Sequence, residues 1–244
     1  MVNDIFKIIK KSTNNQEIIF FPFAGGFAYS YNPLFKEIKK CDWGIVSVEP
    51  PGHGSSKFPL EPDIDTLINF YVEHLYDYIQ NNGNSISLFG HSMGGAVVIE
   101  LARRLVEAEL RIENIIISGL LPPYLNRAKH KFKKYTDQEY IEYMLLTEGL
   151  SKDLIAEEKL VEYILPIFKN DLLSMQTFEL KEYYNLKSSV NILGGSTDKI
   201  APFNQMHYWR MHIDNISFYE IEGGHMFLLK EKLRLKEILQ KIMK

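Results

Sequence analysis

The stretch Leu88-Phe89-Gly90-His91-Ser92-Met93-Gly94-Gly95 sets a serine two residues from a glycine on either side. An apolar run precedes it and a helical pattern follows. A strand that turns sharply into a helix leaves its turn residue with a strained backbone and an exposed side chain. Side chains two positions away would collide there, so Gly90-x-Ser92-x-Gly94 has the spacing of a nucleophile elbow. Met93 opens the helix, where its N–H could meet a developing oxyanion. A bare Gly/Ser turn could carry the same letters; the flanking strand and helix, with His91, favour the nucleophile.

A serine hydroxyl needs a base. Seven histidines are present. His225 stands in "EIEGGHMF", a glycine-rich turn after the last strand pattern, and groups that act on open parallel sheets gather at such carboxyl ends. The order serine, acid, histidine also suits a Ser-x-acid-x-His hydrolase. His53 in "PPGHGSS" precedes the serine and reads as a loop residue at the site mouth. His74, His130, His207 and His212 read as surface or packing residues. The base needs an acid to hold its tautomer. "GGSTDKIAP", after the strand ending at Leu193, offers Asp198. Asp214 is the fallback, but it precedes its strand. A second oxyanion donor should come from "FPFAGG" (residues 21–26): Pro22 has no N–H, so Ala24 is the first choice and Phe23 the second. Neither G-x-G-x-x-G nor G-x-x-x-x-G-K-[ST] occurs in that loop, which argues against a phosphate cradle.

These residues need a sheet to position them. Strands are predicted at Glu17–Phe23, Trp43–Pro50, "SISLFG", "IENIIISG", Val190–Gly195 and Ile216–Gly224, with helical patterns in "YNPLFKEIKK", Asp65–Gln80 and "GGAVVIELARRLVEAEL" between them. Continuous Ile/Val/Leu/Phe runs mark strands buried on both faces, as in a parallel sheet covered by helices. From Pro122 to about Tyr184 no strand pattern appears. Thr136-Asp137-Gln138-Glu139 has capping-box form. Ser151 could cap a second helix that Pro166 should end or kink, and "DLLSMQTFELKEYY" reads as a third. The prediction is a single domain over residues 1–244 with a helical lid inserted at about 122–185. A final helix runs from about Met226, in one part or two.

Composition sets the outer limits. Of 244 residues, 45% are hydrophobic and 24% charged, an ordinary globular balance, and the formal net charge of -3 gives no sign of a nucleic-acid partner. The single cysteine, Cys41, allows no internal disulfide or Cys-rich zinc site and reads as a packing or surface residue. No signal peptide or membrane span is evident, so the expectation is a cytoplasmic protein without membrane contact, and a monomer.

Taken together, "FFPFAGGFAYSY", "VEPPGHGSS", "LFGHSMGG", "LGGSTDKIAP" and "GGHMFLL", with "SGLLPPYLNR" entering the insertion, resemble the type II thioesterases of nonribosomal peptide and polyketide synthesis. The resemblance covers nearly the whole chain, with the motifs in the family's order. It implies an α/β-hydrolase fold, with a mostly parallel sheet, flanking helices and a helical lid. It also implies an editing enzyme that cleaves acyl or aminoacyl groups from the phosphopantetheine arm of carrier domains. The family's triad falls on Ser92, Asp198 and His225, and its oxyanion donors on Met93 and Ala24. No cofactor or metal is expected, since phosphopantetheine belongs to the partner acyl or peptidyl carrier domain. Tyr143, Met144, Leu145, Leu146, Ile164, Ile167 and Phe168 could contact an acyl chain or form the lid's own core. The basic run Arg127–Lys134 could attract the arm's phosphate or an acidic carrier domain, or could be a solvated surface. Two other readings compete: a general carboxylesterase on small or lipid esters, and a non-catalytic module that binds carrier proteins.

Overall fold

A computed structural model of the chain describes residues 2–125 and 131–244. Its strands are β1 (Phe6–Lys10), β2 (Gln16–Phe21), β3 (Gly44–Val48), β4 (Ser85–His91), β5 (Ile112–Ser118), β6 (Ser189–Gly195) and β7 (Ile216–Ile221). Its helices are α1 (Val2–Ile5), α2 (Asn32–Ile38), α3 (Ile64–Asn82), α4 (Met93–Glu107), α5 (Asp137–Leu146), α6 (Lys152–Ile155), α7 (Glu158–Met175), α8 (Phe203–Met206), α9 (Phe227–Lys230) and α10 (Lys232–Ile242).

The strands form one sheet in the order β1-β3-β2-β4-β5-β6-β7. All neighbours are parallel except β1 and β3. This is the mostly parallel, helix-covered α/β-hydrolase architecture that the motifs imply. Parallel neighbours need crossovers, and these lay α3 and α4 on one face and α2, α9 and α10 on the other. Both faces of the central strands are therefore buried; Ile18, Ile19, Phe20, Leu88, Phe89, Ile115, Ile116 and Ile117 are all sealed from solvent. Cys41 is buried and free, packed under α2 beside Trp43.

β1 has no counterpart among the predicted strands. It is an edge strand, half exposed, and its Lys-Ile-Ile-Lys sequence gives no buried run to read. β2 stops at Phe21, short of the predicted Phe23, because Pro22 has no N–H to extend the ladder.

Between β5 and β6 the described residues hold helices and turns but no strand. Thr136 and Glu139 form the predicted reciprocal capping box on α5. Ser151 accepts from Leu154 N–H at the start of α6, but that helix ends after one turn. Pro166, expected to end or kink its helix, does not end it; α7 runs on to Met175. Pro166 faces solvent, where the carbonyl that loses its donor can be hydrated, while Leu165, Ile167, Phe168 and Leu172 bury the opposite side. The third predicted helix is the last turn of α7 followed by irregular chain from Gln176. Its apolar residues Phe178 and Tyr184 are buried as separate anchors instead of along a helical stripe. The final helix comes in two parts, α9 and α10.

Candidate active site

β2 has β3 on one side and β4 on the other, so the chain reverses its direction of travel across the sheet there. The loops leaving β2 and β4 diverge and open a crevice at the carboxyl ends of the strands. Ser92 follows β4 at that point with φ 53° and ψ −116°, a left-handed backbone that L-residues rarely adopt and that costs about 1–3 kcal/mol where it is enforced. Close packing enforces it. A Cβ on Gly90 would lie 1.9 Å from the Gly94 carbonyl oxygen, and one on Gly94 would lie 2.3 Å from the Phe21 carbonyl oxygen. Gly90→Ala is therefore expected to cost about 3 kcal/mol and to lower Tm by about 6–12 °C. Calorimetry of the variant checks this.

β6 and β7 end side by side, and their loops are stitched by Ser196 N–H to Ile221 O and Thr197 N–H to Gly223 O. This brings Asp198 and His225 together, both buried, with Asp198 Oδ2 2.8 Å from His225 Nδ1. The other carboxylate oxygen, Oδ1, accepts from Ile200 N–H at 2.8 Å and Ala201 N–H at 2.9 Å. Burial by itself would raise the Asp198 pKa; His225 and the two backbone donors outweigh it and lower the pKa below the usual aspartate value. With Nδ1 occupied by Asp198, Nε2 is the His225 nitrogen left for proton exchange, and His225 lines the same cavity as Ser92. Asp214 is exposed and accepts from Tyr183 OH, away from His225.

His91 lies fully buried beside this centre, its ring centroid 4.9 Å from that of His225. Burial, and then the proximity of His225, push its pKa well below the ordinary value, so it is a neutral ring. Its Nδ1 is 2.9 Å from Ser118 Oγ. A neutral neighbour leaves His225 free of a competing charge.

The donors of the expected oxyanion hole can be sorted by elimination. In the loop after β2, Gly26 N–H is bound by Phe23 O, Phe27 N–H by Ser30 Oγ, Ala28 N–H by Glu49 Oε2 and Gly25 N–H by Asp171 Oδ2. Among the hydrogen bonds of the described residues, none uses Phe23 N–H, Ala24 N–H or Met93 N–H. Ala24, Met93 and Ser92 line one cavity of about 400 Å³. Ala24 and Ser92, with Tyr143 and Leu172, also line a second of about 60 Å³ that contains His225. Ser92 thus stands where two cavities meet.

The segment between β5 and β6 roofs both. Tyr143, Met144, Ile164 and Phe168 line the smaller cavity. Tyr143, Met144 and Phe168 also belong to a separate buried cluster with Phe132, Tyr140, Leu165 and Leu172, so they form the roof's own core as well as its inner surface. Leu145, Leu146 and Ile167 line neither cavity, and Leu146 points to solvent. Of the basic run, Lys131, Lys133 and Lys134 are exposed, and Arg127–His130 lie outside the described residues.

His53 is the residue that the sequence places worst. It does not sit at an open mouth; it is buried, with Nε2 2.9 Å from Asp171 Oδ2 and Nδ1 2.8 Å from Pro51 O. Asp171 and Glu49 were not singled out at all. The available signals were an aspartate within the apolar stripe of α7 and a glutamate ending a fully buried strand. His74, His207 and His212 stand on α3 and the turns after α8, away from Ser92. No three His, Cys, Asp or Glu side chains converge as metal ligands among the described residues. No helix there is long and apolar enough to cross a membrane.

Residues 16–244 match the family model described as Thioesterase domain. The chain belongs to this family. As a thioesterase-domain protein it is a thioester hydrolase, and its fold and motifs agree with that chemistry. It is 28% identical over 217 residues to the thioesterase TesA of Mycobacterium marinum, covering 86% of this chain and 84% of that one. It is 26% identical over 239 residues to a Brevibacillus parabrevis protein named linear gramicidin dehydrogenase LgrE, covering 94% and 89%. Among solved structures, the type II thioesterase BorB from the borrelidin biosynthetic cluster superposes with a TM-score of 0.86 at 23% identity, covering 99% of this thioesterase chain and 98% of that one. That likeness speaks to the fold.

Proposed function

We propose that the protein is an editing thioesterase that strips acyl or aminoacyl groups from the phosphopantetheine arm of carrier domains in a nonribosomal peptide or polyketide synthase and returns the free thiol. The observation that carries this reading is the meeting of two roofed cavities at Ser92, about 60 and 400 Å³. A thioester carbonyl has an acyl group on one side and a long arm on the other, and a serine between two pockets can receive both. The larger volume falls in the range of small-molecule sites. Membership of the thioesterase family supports a thioester as the substrate.

In this reading Ser92 Oγ attacks the thioester carbonyl while His225 Nε2 accepts its proton. Asp198 holds the imidazole by Nδ1 and stabilises its cationic form. Met93 and Ala24 N–H groups hold the tetrahedral oxyanion. Collapse expels the thiolate, which takes the proton from His225. His225 then draws a proton from water, which attacks the acyl-serine; the second tetrahedral intermediate collapses, His225 returns the proton to the departing Ser92 Oγ, and the acid is released. A monomer acting on the carrier domain as partner is part of this reading. Cytoplasmic location and independence of cofactors belong to the same proposal.

The test is a panel with one acyl group presented on a phosphopantetheinyl carrier domain, on coenzyme A and as a simple ester. The carrier-bound thioester is expected to have the highest kcat/KM, by about tenfold or more over the free thioester. Equal or better turnover of the simple ester would favour a general esterase, and binding of the carrier without turnover would favour a non-catalytic module.

A further inference from the structure

Three segments that are far apart in sequence converge on two buried carboxylates behind the oxyanion loop. Asp171, on α7, uses one oxygen, Oδ2, for both Gly25 N–H at 2.7 Å and His53 Nε2 at 2.9 Å. Glu49, ending at the carboxyl side of β3, accepts from Ala28 N–H at 2.7 Å and from Ser55 N–H at 2.5 Å. The loop that presents Ala24 is thus pinned at Gly25 and Ala28, and one of those pins is carried by the helix that roofs Ser92.

We propose that Asp171 and His53 are positioning residues for thioester hydrolysis: the carboxylate, held by His53, takes up Gly25 N–H and so aims the adjoining Ala24 N–H at the oxyanion, coupling that aim to the seating of α7. This rests on Ala24 being an oxyanion donor in the proposed function. Both ring nitrogens of His53 face acceptors, the Asp171 carboxylate and the Pro51 carbonyl, which is the pattern of an imidazolium. The other titratable groups turned toward the pair are Glu49 at the end of β3, Tyr71 from α3 and Glu61 from the loop before it. Among the described residues lining the small cavity behind the pair, none is Lys or Arg. Burial alone would lower the His53 pKa; Asp171, the Pro51 carbonyl and Glu49 outweigh it and raise the pKa above the ordinary imidazole value. The charged pair is therefore complete below that ordinary value and is lost as pH rises through the raised one.

The test measures kcat and KM against pH on an acyl-N-acetylcysteamine thioester for the parent, Asp171→Ala, Asp171→Asn and His53→Gln. Asp171→Ala is expected to lower kcat by about 10–100-fold with KM within about threefold, less than outright deletion of an oxyanion donor because the N–H is misaimed and not removed. Asp171→Asn should recover kcat to within about threefold of the parent, since its amide oxygen, standing in the place of Oδ2, can accept from both Gly25 N–H and His53 Nε2–H. The parent should show an alkaline fall in kcat that both Asp171→Asn and His53→Gln abolish. An Asp171→Ala kcat within twofold of the parent, a change in KM alone, or an alkaline limb that is missing from the parent or persists in both other variants overturns the proposal. If Asp171→Ala does not fold, the two pH profiles decide. A parent with no thioester turnover overturns the functional reading and this proposal with it; an active parent with an indifferent Asp171 overturns this proposal alone.

Discussion

Ser92→Ala is expected to lower kcat for thioester hydrolysis by about 10⁴–10⁶-fold, leaving only what the oxyanion donors and binding supply without a nucleophile. The fold should survive, because the substitution removes one oxygen from a partly exposed side chain that makes no cap bond to α4. The strained backbone at φ 53° is imposed by the close approach of Gly90 to Gly94 and of Gly94 to Phe21 O, and alanine meets the same constraint as serine. Tm should therefore stay within a few degrees of the parent while acyl-enzyme, trapped by rapid acid quench and seen by intact mass, disappears. Hydrolysis that continues undiminished in this variant would remove Ser92 from the mechanism.

Asp198→Asn should cost about 10³–10⁴-fold in kcat while leaving the loop in place. Asp198 is an acceptor on all sides, with Oδ1 taking Ile200 and Ala201 N–H and Oδ2 facing His225 Nδ1. An asparagine can keep only one of those ends as oxygen. If the oxygen stays with the two backbone donors, the amide N–H faces His225 and forces the lone pair onto Nδ1, so Nε2 carries a hydrogen and cannot accept the serine proton. Imidazole NMR, with the Nε2 hydrogen replacing the Nδ1 hydrogen, checks the cause, and kcat checks the size. A loss below tenfold would show that His225 is held by something else.

Much of the site is legible in the chain because its parts are local. The elbow needs glycine at two fixed offsets from Ser92, and the clashes at 1.9 and 2.3 Å show why no other residue serves. Asp198 and His225 each follow a readable buried strand, and their meeting needs only that β6 and β7 be neighbours, which right-handed parallel crossovers make the simple outcome. Elimination of Pro22 pointed to Ala24, and the hydrogen bonds of Gly25, Gly26, Phe27 and Ala28 leave it, with Phe23, as one of the two unbound N–H groups between Pro22 and Ala28 among the described residues.

What escaped the sequence is non-local or depends on which face of a segment is covered. β1 is an edge strand in which Ile8 is exposed and Lys7, Ile9 and Lys10 are half-buried, so its pattern shows no buried run although its backbone is paired with β3. Pro166 should break a helix in isolation; it does not because one side of α7 is anchored and the proline lies on the other. His53 in a Pro/Gly loop reads only as a loop residue near the site mouth; its burial against Asp171, 118 positions away, is set by the tertiary fold. The sequence alone determined the fold class and the order of the strands from Glu17 onward, and it named Ser92, Asp198 and His225 as the proposed nucleophile, acid and base, because each is encoded by spacing within a short window. Tertiary structure alone decided how the roof sits on Ser92, that two cavities meet there, and that a buried His53–Asp171 pair holds the loop bearing Ala24. Those features arise from contacts between faces, and a face is defined only once something packs against it.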